Sequence, residues 1–237
     1  MVSRTLHWIG ALARSNSTSA HLESETVRPV KTSIRCLILD QDGTLYPRRS
    51  SLAEALRERT KSWLVQKLGL PRHEIDRLYS RLQDEYPNPL LGFQSLGAAV
   101  SEYHREVFEA IDPRNHLSRD AGLTAILKRL PQAKYIVTLA SPAYSATLQE
   151  CLGVAELVEK TYFVLDYPPD YSKKRCYAAI ASHTGLAYST LCVVGDDFRV
   201  DILPALELGC KAIHVSDTRF PGDHETIRSI HELLTVV

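Results

Sequence analysis

One stretch constrains the fold more than any other. Ile34–Leu39 is a short apolar run that stops abruptly at Asp40-Gln41-Asp42-Gly43. A run of this length bounded by a turn signal reads as a buried strand. In extended chain, residues i and i+2 point the same way, so Asp40 and Asp42 converge on one side as the strand ends. Gly43 lets the backbone bend sharply after them. Asp-Gly is equally common in plain turns, so the pair alone does not separate a site from a turn.

The rest of the chain repeats the strand signal at helix-sized intervals. Similar runs occupy Lys134–Leu139, Thr161–Leu165, Leu191–Val194 and Ala212–Val215, with helical segments at Ala143–Leu152, Lys173–His183 and Val200–Leu208. Gly153, Gly185 and Gly209 fall just past those helices, where a left-handed residue commonly closes the last turn. This alternation predicts an α/β fold, a doubly wound parallel sheet. Between the first two strands the pattern becomes helical. Ser51-x-x-Glu54 reads as a capping box opening a first helix. A second helix follows Pro71, with Ile75, Leu78, Tyr79 and Leu82 on one face, and a third carries Val100, Tyr103, Val107, Phe108 and Ile111. Pro87, Pro89 and Gly92 mark a break between the last two. The expected organisation is therefore a core of residues 33–48 and 118–237, an all-helical cap inserted at 49–117, and a leader or tail at 1–32.

Composition narrows the classes of function. The 237 residues hold 28 Lys+Arg and 28 Asp+Glu, a formal net charge of zero. That balance argues against affinity built on nucleic-acid phosphates or an anionic membrane surface. No apolar run approaches the ~20 residues of a membrane-spanning helix. The five cysteines are scattered without zinc-ligand or disulfide spacing, as expected of small buried thiols in a reducing compartment. Residues 1–22 carry Arg4, Arg14 and a serine-rich patch, with no acid before Glu23. Such a segment reads as an organelle transit peptide or as a plain tail. The cytoplasm is the expected location, with a mitochondrion or plastid as the alternative.

Three further elements close other strands of the same expected sheet. Thr138 ends the second, and Ser141-Pro142 after it reads as an N-cap with proline at the first helical position, leaving backbone N–H groups for an anion. Ser172-Lys173-Lys174 puts ammonium groups at a helix start, where the dipole disfavours a merely structural lysine. Gly195-Asp196-Asp197, with Asp201 following, adds carboxylates after the fourth. Each has a bland explanation as strand residue, surface charge or turn former. Together they supply acids for a hard divalent cation, a hydroxyl, backbone donors and a cation, which is the set phosphoryl transfer requires.

In motif order and spacing, the chain resembles the haloacid dehalogenase-like (HAD-like) hydrolase superfamily, with a Rossmannoid core. The matching elements are Asp40–Thr44 (DQDGT), Thr138, the Lys173 region and Gly195–Asp201 (GDDFRVD), within about Ile34 to Val215. Leu45-Tyr46-Pro47 and the cap that follows look most like its pyrimidine 5′-nucleotidase branch. The resemblance implies an Mg²⁺-dependent phosphatase acting on a small-molecule phosphomonoester through an aspartyl phosphate, with a nucleoside 5′-monophosphate as one candidate substrate. Asp40 would be the nucleophile and a metal ligand. Asp42 would be the general acid and then base, its backbone carbonyl facing the metal. Thr138 and Lys173 would hold the phosphoryl group, Asp196 would complete the metal ligands, and Asp201 would lie behind them or pair with the lysine. Dehalogenases of the superfamily lack an acid at the position of Asp42.

The sequence departs from the family pattern in three places. Leu139 stands where asparagine usually follows the threonine, Lys173 is followed by Lys174 rather than proline, and Asp197 stands where serine is common. Lys173 is the expected site lysine because Tyr177 lies four residues on, with Lys174 the alternative. Asp197 either strengthens the metal site or points to solvent. Other readings are a phosphosugar or phosphoglycolate phosphatase, a mutase, a phospho-accepting regulatory domain, or a catalytically weak binding protein on the same fold. His104 and His214 read as packed or surface residues, and Tyr86–Phe93 reads as core more than as substrate surface. The oligomeric state leaves no mark in the sequence.

Overall fold

The apolar run before Asp40 forms β1 (Cys36–Leu39), whose four side chains are fully buried. Each large side chain buried this way stabilises by about 1.5–3 kcal/mol, and burial on both faces suits a central parallel strand. The computed structural model describes residues 33–237, so the reading of a leader at 1–32 falls outside the described residues.

Four helices follow β1 directly: α1 (Ser51–Leu68), α2 (Arg72–Glu85), α3 (Pro89–Ser95) and α4 (Val100–Tyr103). The cap of α1 lies one residue earlier than the capping-box reading placed it. Ser50 is extended and its hydroxyl accepts from Ala53 N at 3.2 Å, whereas Ser51 is already helical and its hydroxyl donates to His116 O. With Ser50 as the cap, no glutamate occupies the reciprocal position, and Glu54 contributes only its charge to the first turn. The break read at Pro87–Gly92 contains α3, because Asn88 caps it and Pro89 occupies its first turn, where a missing N–H costs nothing. The third helix of the sequence reading is α4 running on into a π-helical turn, His104–Phe108. Arg59 Nε donates to Glu106 O within that turn at 2.7 Å.

An edge-to-face and tilted cluster fills this helical layer, with Trp63–Phe93, Phe93–Tyr103 and Tyr103–Phe108 ring centres 5.5, 4.6 and 5.6 Å apart. Phe93 is thus core, as its sequence context suggested. Phe108 also packs against Tyr144 at 5.0 Å, joining the helical layer to the sheet layer.

The remaining elements are α5 (Ala121–Arg129), β2 (Ala133–Thr138), α6 (Pro142–Leu152), β3 (Lys160–Phe163), α7 (Lys173–Thr184), β4 (Leu191–Gly195), α8 (Leu203–Glu207), β5 (Lys211–Val215) and β6 (Glu225–Ile227). The six strands are all parallel, in the order β3-β2-β1-β4-β5-β6. This is the doubly wound parallel sheet expected, with helices inserted after its first strand.

Several boundaries differ from the sequence reading. β3 ends at Phe163, and Val164–Asp166 forms a 3₁₀ turn instead of continuing the strand. The helix read at Val200–Leu208 begins as a π-helical turn over Phe198–Ile202 before α8. Pro204 has no N–H to give back one turn, which disrupts a regular α ladder there. The edge strand β6 lies beyond His214, so β5 is not the last strand; at three residues β6 is too short to show a period. Gly153 and Gly185 close α6 and α7 in the left-handed conformation. All five cysteines are free, four of them buried. Among the described residues no helix is long and apolar enough to cross a membrane.

Candidate active site

In the strand order 3-2-1-4-5-6 the connections reverse between β1 and β4, and ligands of such sheets bind outside the carboxyl ends at that reversal. Leu39 is in register with Ile136 on β2 and Val194 on β4. Asp40 N donates to Val194 O at 2.8 Å. That register brings Asp40, Thr138 and Asp196 out together at one rim.

Lys173 reaches the same rim from the first residue of α7. It is buried, and its Nζ donates to Asp40 Oδ1 at 2.5 Å and to Asp201 Oδ1 at 2.6 Å. Burial works against the ammonium form, but the flanking carboxylates of Asp201 and Asp40 outweigh it and hold the lysine charged, well above its ordinary range. Lys174 points away to an exposed pair with Glu207. The two adjacent lysines are therefore separated by helix geometry, and it is Lys173 that meets the cluster. Tyr177, one turn on, is buried and donates its hydroxyl to Asp201 O at 3.3 Å.

Asp40, Asp196 and Asp201 each offer a carboxylate oxygen within 4.8 Å of the others, and all three are buried. Burial and the nearby charge of Asp40 push the Asp196 carboxyl far above the usual carboxylate range. Hard oxygen donors gathered this closely suit a divalent cation such as Mg²⁺, which takes carboxylates together with water and substrate oxygens. The local backbone is shaped around them. Gly43 has φ +94°, and a Cβ there would lie 2.5 Å from Asp196 Oδ2. At Gly195 a Cβ would lie 2.4 Å from Asp201 Cβ. Asp197 stands outside the triad: its side chain caps the Phe198–Ile202 turn through Arg199 N and Val200 N and meets Arg48 at 3.4 Å.

Asp42 turns its carboxylate toward a different set of neighbours. Tyr46 OH donates to Oδ1 at 2.7 Å and Tyr144 OH at 3.2 Å, while Gln41 Nε2 and Thr138 Oγ1 lie 3.1 and 3.4 Å from Oδ2. Burial, then the charge on Asp40, raise its pKa, and the hydroxyl and amide donors pull it partly back. Gln41 is itself held by Ser145 Oγ at 2.6 Å and Gln149 Nε2 at 3.2 Å. Thr138 Oγ1 accepts from Ala140 N at 3.0 Å. The two histidines set aside on sequence are packed: His104 Nε2 lies 2.8 Å from Leu139 O, and His214 Nε2 lies 3.2 Å from Asp196 O.

A cavity of ≈ 240 Å³ opens over this floor, lined by the acids, Lys173 and Thr138 below and by Arg48, Arg57, Tyr79 and Phe108 on its wall. Arg48 Nε lies 2.9 Å from Asp196 Oδ2. The sequence reading missed Arg48, Arg57, Tyr46 and Tyr144. Tyr46, four residues beyond Asp42 in a tight turn, carried a usable local signal; Tyr144 and Arg57 come from distant segments and carried none.

Fold and site together define an α/β hydrolase with a carboxylate-lined rim. The haloacid dehalogenase-like hydrolase family matches residues 34–209, and the chain belongs to it. No curated protein matches the chain. Among solved structures it is similar to the HAD-hydrolase YfnB from Bacillus subtilis bound to magnesium (14% identity, 86% of this chain and 98% of that one, TM-score 0.59). It is also similar to a HAD phosphatase from Thermococcus onnurineus (17%, 86% and 97%, TM-score 0.56). The L-2-haloacid dehalogenase from Xanthobacter autotrophicus shares the fold as well (15%, 86% and 98%, TM-score 0.53). At these identities the likeness is one of fold, and it spans both phosphatase and dehalogenase.

Proposed function

We propose that this chain is an Mg²⁺-dependent phosphatase that hydrolyses small phosphomonoesters through an aspartyl phosphate on Asp40, with residues 49–117 as its cap. The observation that carries this reading is the second carboxyl group, Asp42, set beside Thr138 and held by Tyr46 and Tyr144. A departing alkoxide needs a proton, whereas a halide leaves as a stable anion and needs no acid. The raised pKa of Asp42 suits a group that must be protonated at the first step.

In this mechanism an Asp40 carboxylate oxygen attacks phosphorus as the ester P–O bond breaks, and Asp42 gives its proton to the leaving oxygen. Asp42, now ionised, takes a proton from water, whose oxygen attacks phosphorus and releases Asp40 and inorganic phosphate. Thr138 Oγ1 and Lys173 Nζ hold the phosphoryl oxygens, and Lys173 balances charge between Asp40 and Asp201. Asp40 and Asp196, with the backbone carbonyl of Asp42, would hold Mg²⁺, and Asp201 lies close enough to steady them. The bound cation supplies charge stabilisation for the phosphoryl oxygens.

The magnesium of YfnB and the activity named for the Thermococcus protein agree with this reading. Leu45-Tyr46-Pro47 puts nucleoside 5′-monophosphates on the substrate panel, beside phosphosugars and phosphoglycolate. The deciding experiment is release of p-nitrophenol from p-nitrophenyl phosphate with and without Mg²⁺, run beside chloride release from 2-chloropropionate. We expect metal-dependent phosphate ester cleavage and no chloride. A folded protein that shows no metal-dependent turnover overturns the reading.

A further inference from the structure

The floor of the cavity is acidic, yet one wall is cationic. Arg57, on the second turn of α1, donates through Nη1 to Arg48 O at 3.2 Å and lines the cavity. Among the described residues no carboxylate lies within ion-pair distance of Arg57, whereas Arg72, Arg81 and Arg105 of the helical layer each pair with one. Arg48 also lines the cavity, tied to Asp196 and Asp197. Tyr79 lines the cavity with them: burial raises its hydroxyl pKa while the charges of Arg57 and Arg48 pull it back. Leu56, Phe108 and Leu139 also line the cavity, with an apolar side chain at the position where the family's asparagine would have offered an amide.

Arg57 differs from the other arginines without a carboxylate partner in lining the cavity, where a ligand can reach it. Beyond its bond to Arg48 O, a ligand anion would give this half-buried guanidinium a charged partner. A guanidinium presents a planar fork of donors that matches carboxylate or phosphate oxygens two at a time. The cavity is also small beside the about 300–1,000 Å³ of typical drug-sized pockets.

We propose that Arg57 is a specificity-determining residue that binds a second anionic group on the substrate, so that the preferred substrates are small phosphomonoesters whose organic part carries a carboxylate or a second phosphate. This rests on the phosphatase reading for the placement of the first phosphoryl group at Asp40. Leu139, Phe108 and Leu56 then pack the short apolar body between the two anions, and a neutral-bodied ester leaves the guanidinium unmatched.

The test is equilibrium binding by calorimetry to the Asp40→Asn protein in Mg²⁺, which cannot turn substrate over. The probes are butyl phosphate, 4-phosphooxybutanoate and butane-1,4-diyl bisphosphate. We expect at least one of the two probes with an anionic body to bind about tenfold more tightly than butyl phosphate, as a charge-assisted contact supplies. That ratio falls to about one when Arg57→Gln is added, and Arg57→Lys keeps part of it, which separates lost charge from lost structure. Which probe wins tells carboxylate from phosphate. Equal binding of all three, absence of binding, or a ratio that survives Arg57→Gln overturns the inference. Turnover of butyl phosphate by the wild-type protein tests the phosphatase reading separately, so either idea fails without the other.

Discussion

The floor and the wall of the cavity are built by opposite means. The floor packs Asp40, Asp196, Asp201 and one ammonium, Lys173, into a buried rim. Its geometry is dictated by strand register and by glycines that leave no room for a Cβ. The wall is made of helical side chains, Arg57 and Tyr79 among them, whose positions depend on how α1 and α2 pack. The floor therefore gathers carboxylates that Lys173 and Arg48 balance only in part, whereas the wall can change residue by residue without disturbing the sheet. On the function and the Arg57 role proposed above, chemistry is fixed at the rigid end and selectivity sits at the adaptable one.

Asp40→Asn tests the floor most severely. It should reduce kcat by about 10⁴-fold or more while the far-ultraviolet circular dichroism stays native, because the change removes a nucleophile at constant volume. Activity near wild type in that variant would mean the floor is not where chemistry occurs.

The neighbouring lysines give the next largest contrast. Lys173→Ala strips the ammonium from between two buried carboxylates, so it should lower kcat at least about 100-fold and cost about 3–5 kcal/mol by denaturant unfolding. Lys174→Ala breaks an exposed pair with Glu207 and should stay within about 0.5 kcal/mol and twofold in rate. Similar effects from both would erase the distinction between floor and surface.

The smallest effect concerns pH. In the folded, cation-free protein Asp196 binds its proton more tightly than in the unfolded chain, because burial and Asp40 raise its pKa. The folded state thus holds the extra proton, and stability should fall as pH rises from about 4 upward, by at most about 1.4 kcal/mol per pH unit for this group. Saturating Mg²⁺ should flatten that slope, since it binds the ionised carboxylate of the folded state alone. Melting temperatures across pH, with and without the metal, measure it. A rise in stability over that range without metal would show that the Arg48 ion pair outweighs burial and the charge of Asp40.

The division between floor and wall also explains what the sequence made legible. Asp40, Thr138 and Asp196 could be read because each ends an apolar run, and parallel strands bring such ends to one rim. Between Lys173 and Lys174 the sequence offered only a preference, from Tyr177 four residues on, because adjacent helical positions differ in facing but the spacing alone does not fix which one turns inward. Arg57 was not legible: α1 carries several other charged residues, and only the packing of α1 against α2 and the His104–Phe108 turn reveals which charge faces the cleft. The capping residue of α1 was misplaced by one position because two serines are adjacent, and backbone conformation alone decides which stays extended. The π turn at Phe198–Ile202 and the three-residue β6 left no periodic trace long enough to detect.

The helical segment leaves the sheet at the end of its central strand and returns to the strand beside it. Every rung of the ladder is made by residues outside that excursion. The helices could in principle be exchanged for another set with no hydrogen bond between strands being lost. A chain wired in this way can drift in what it admits to the rim while the reacting groups stay in place.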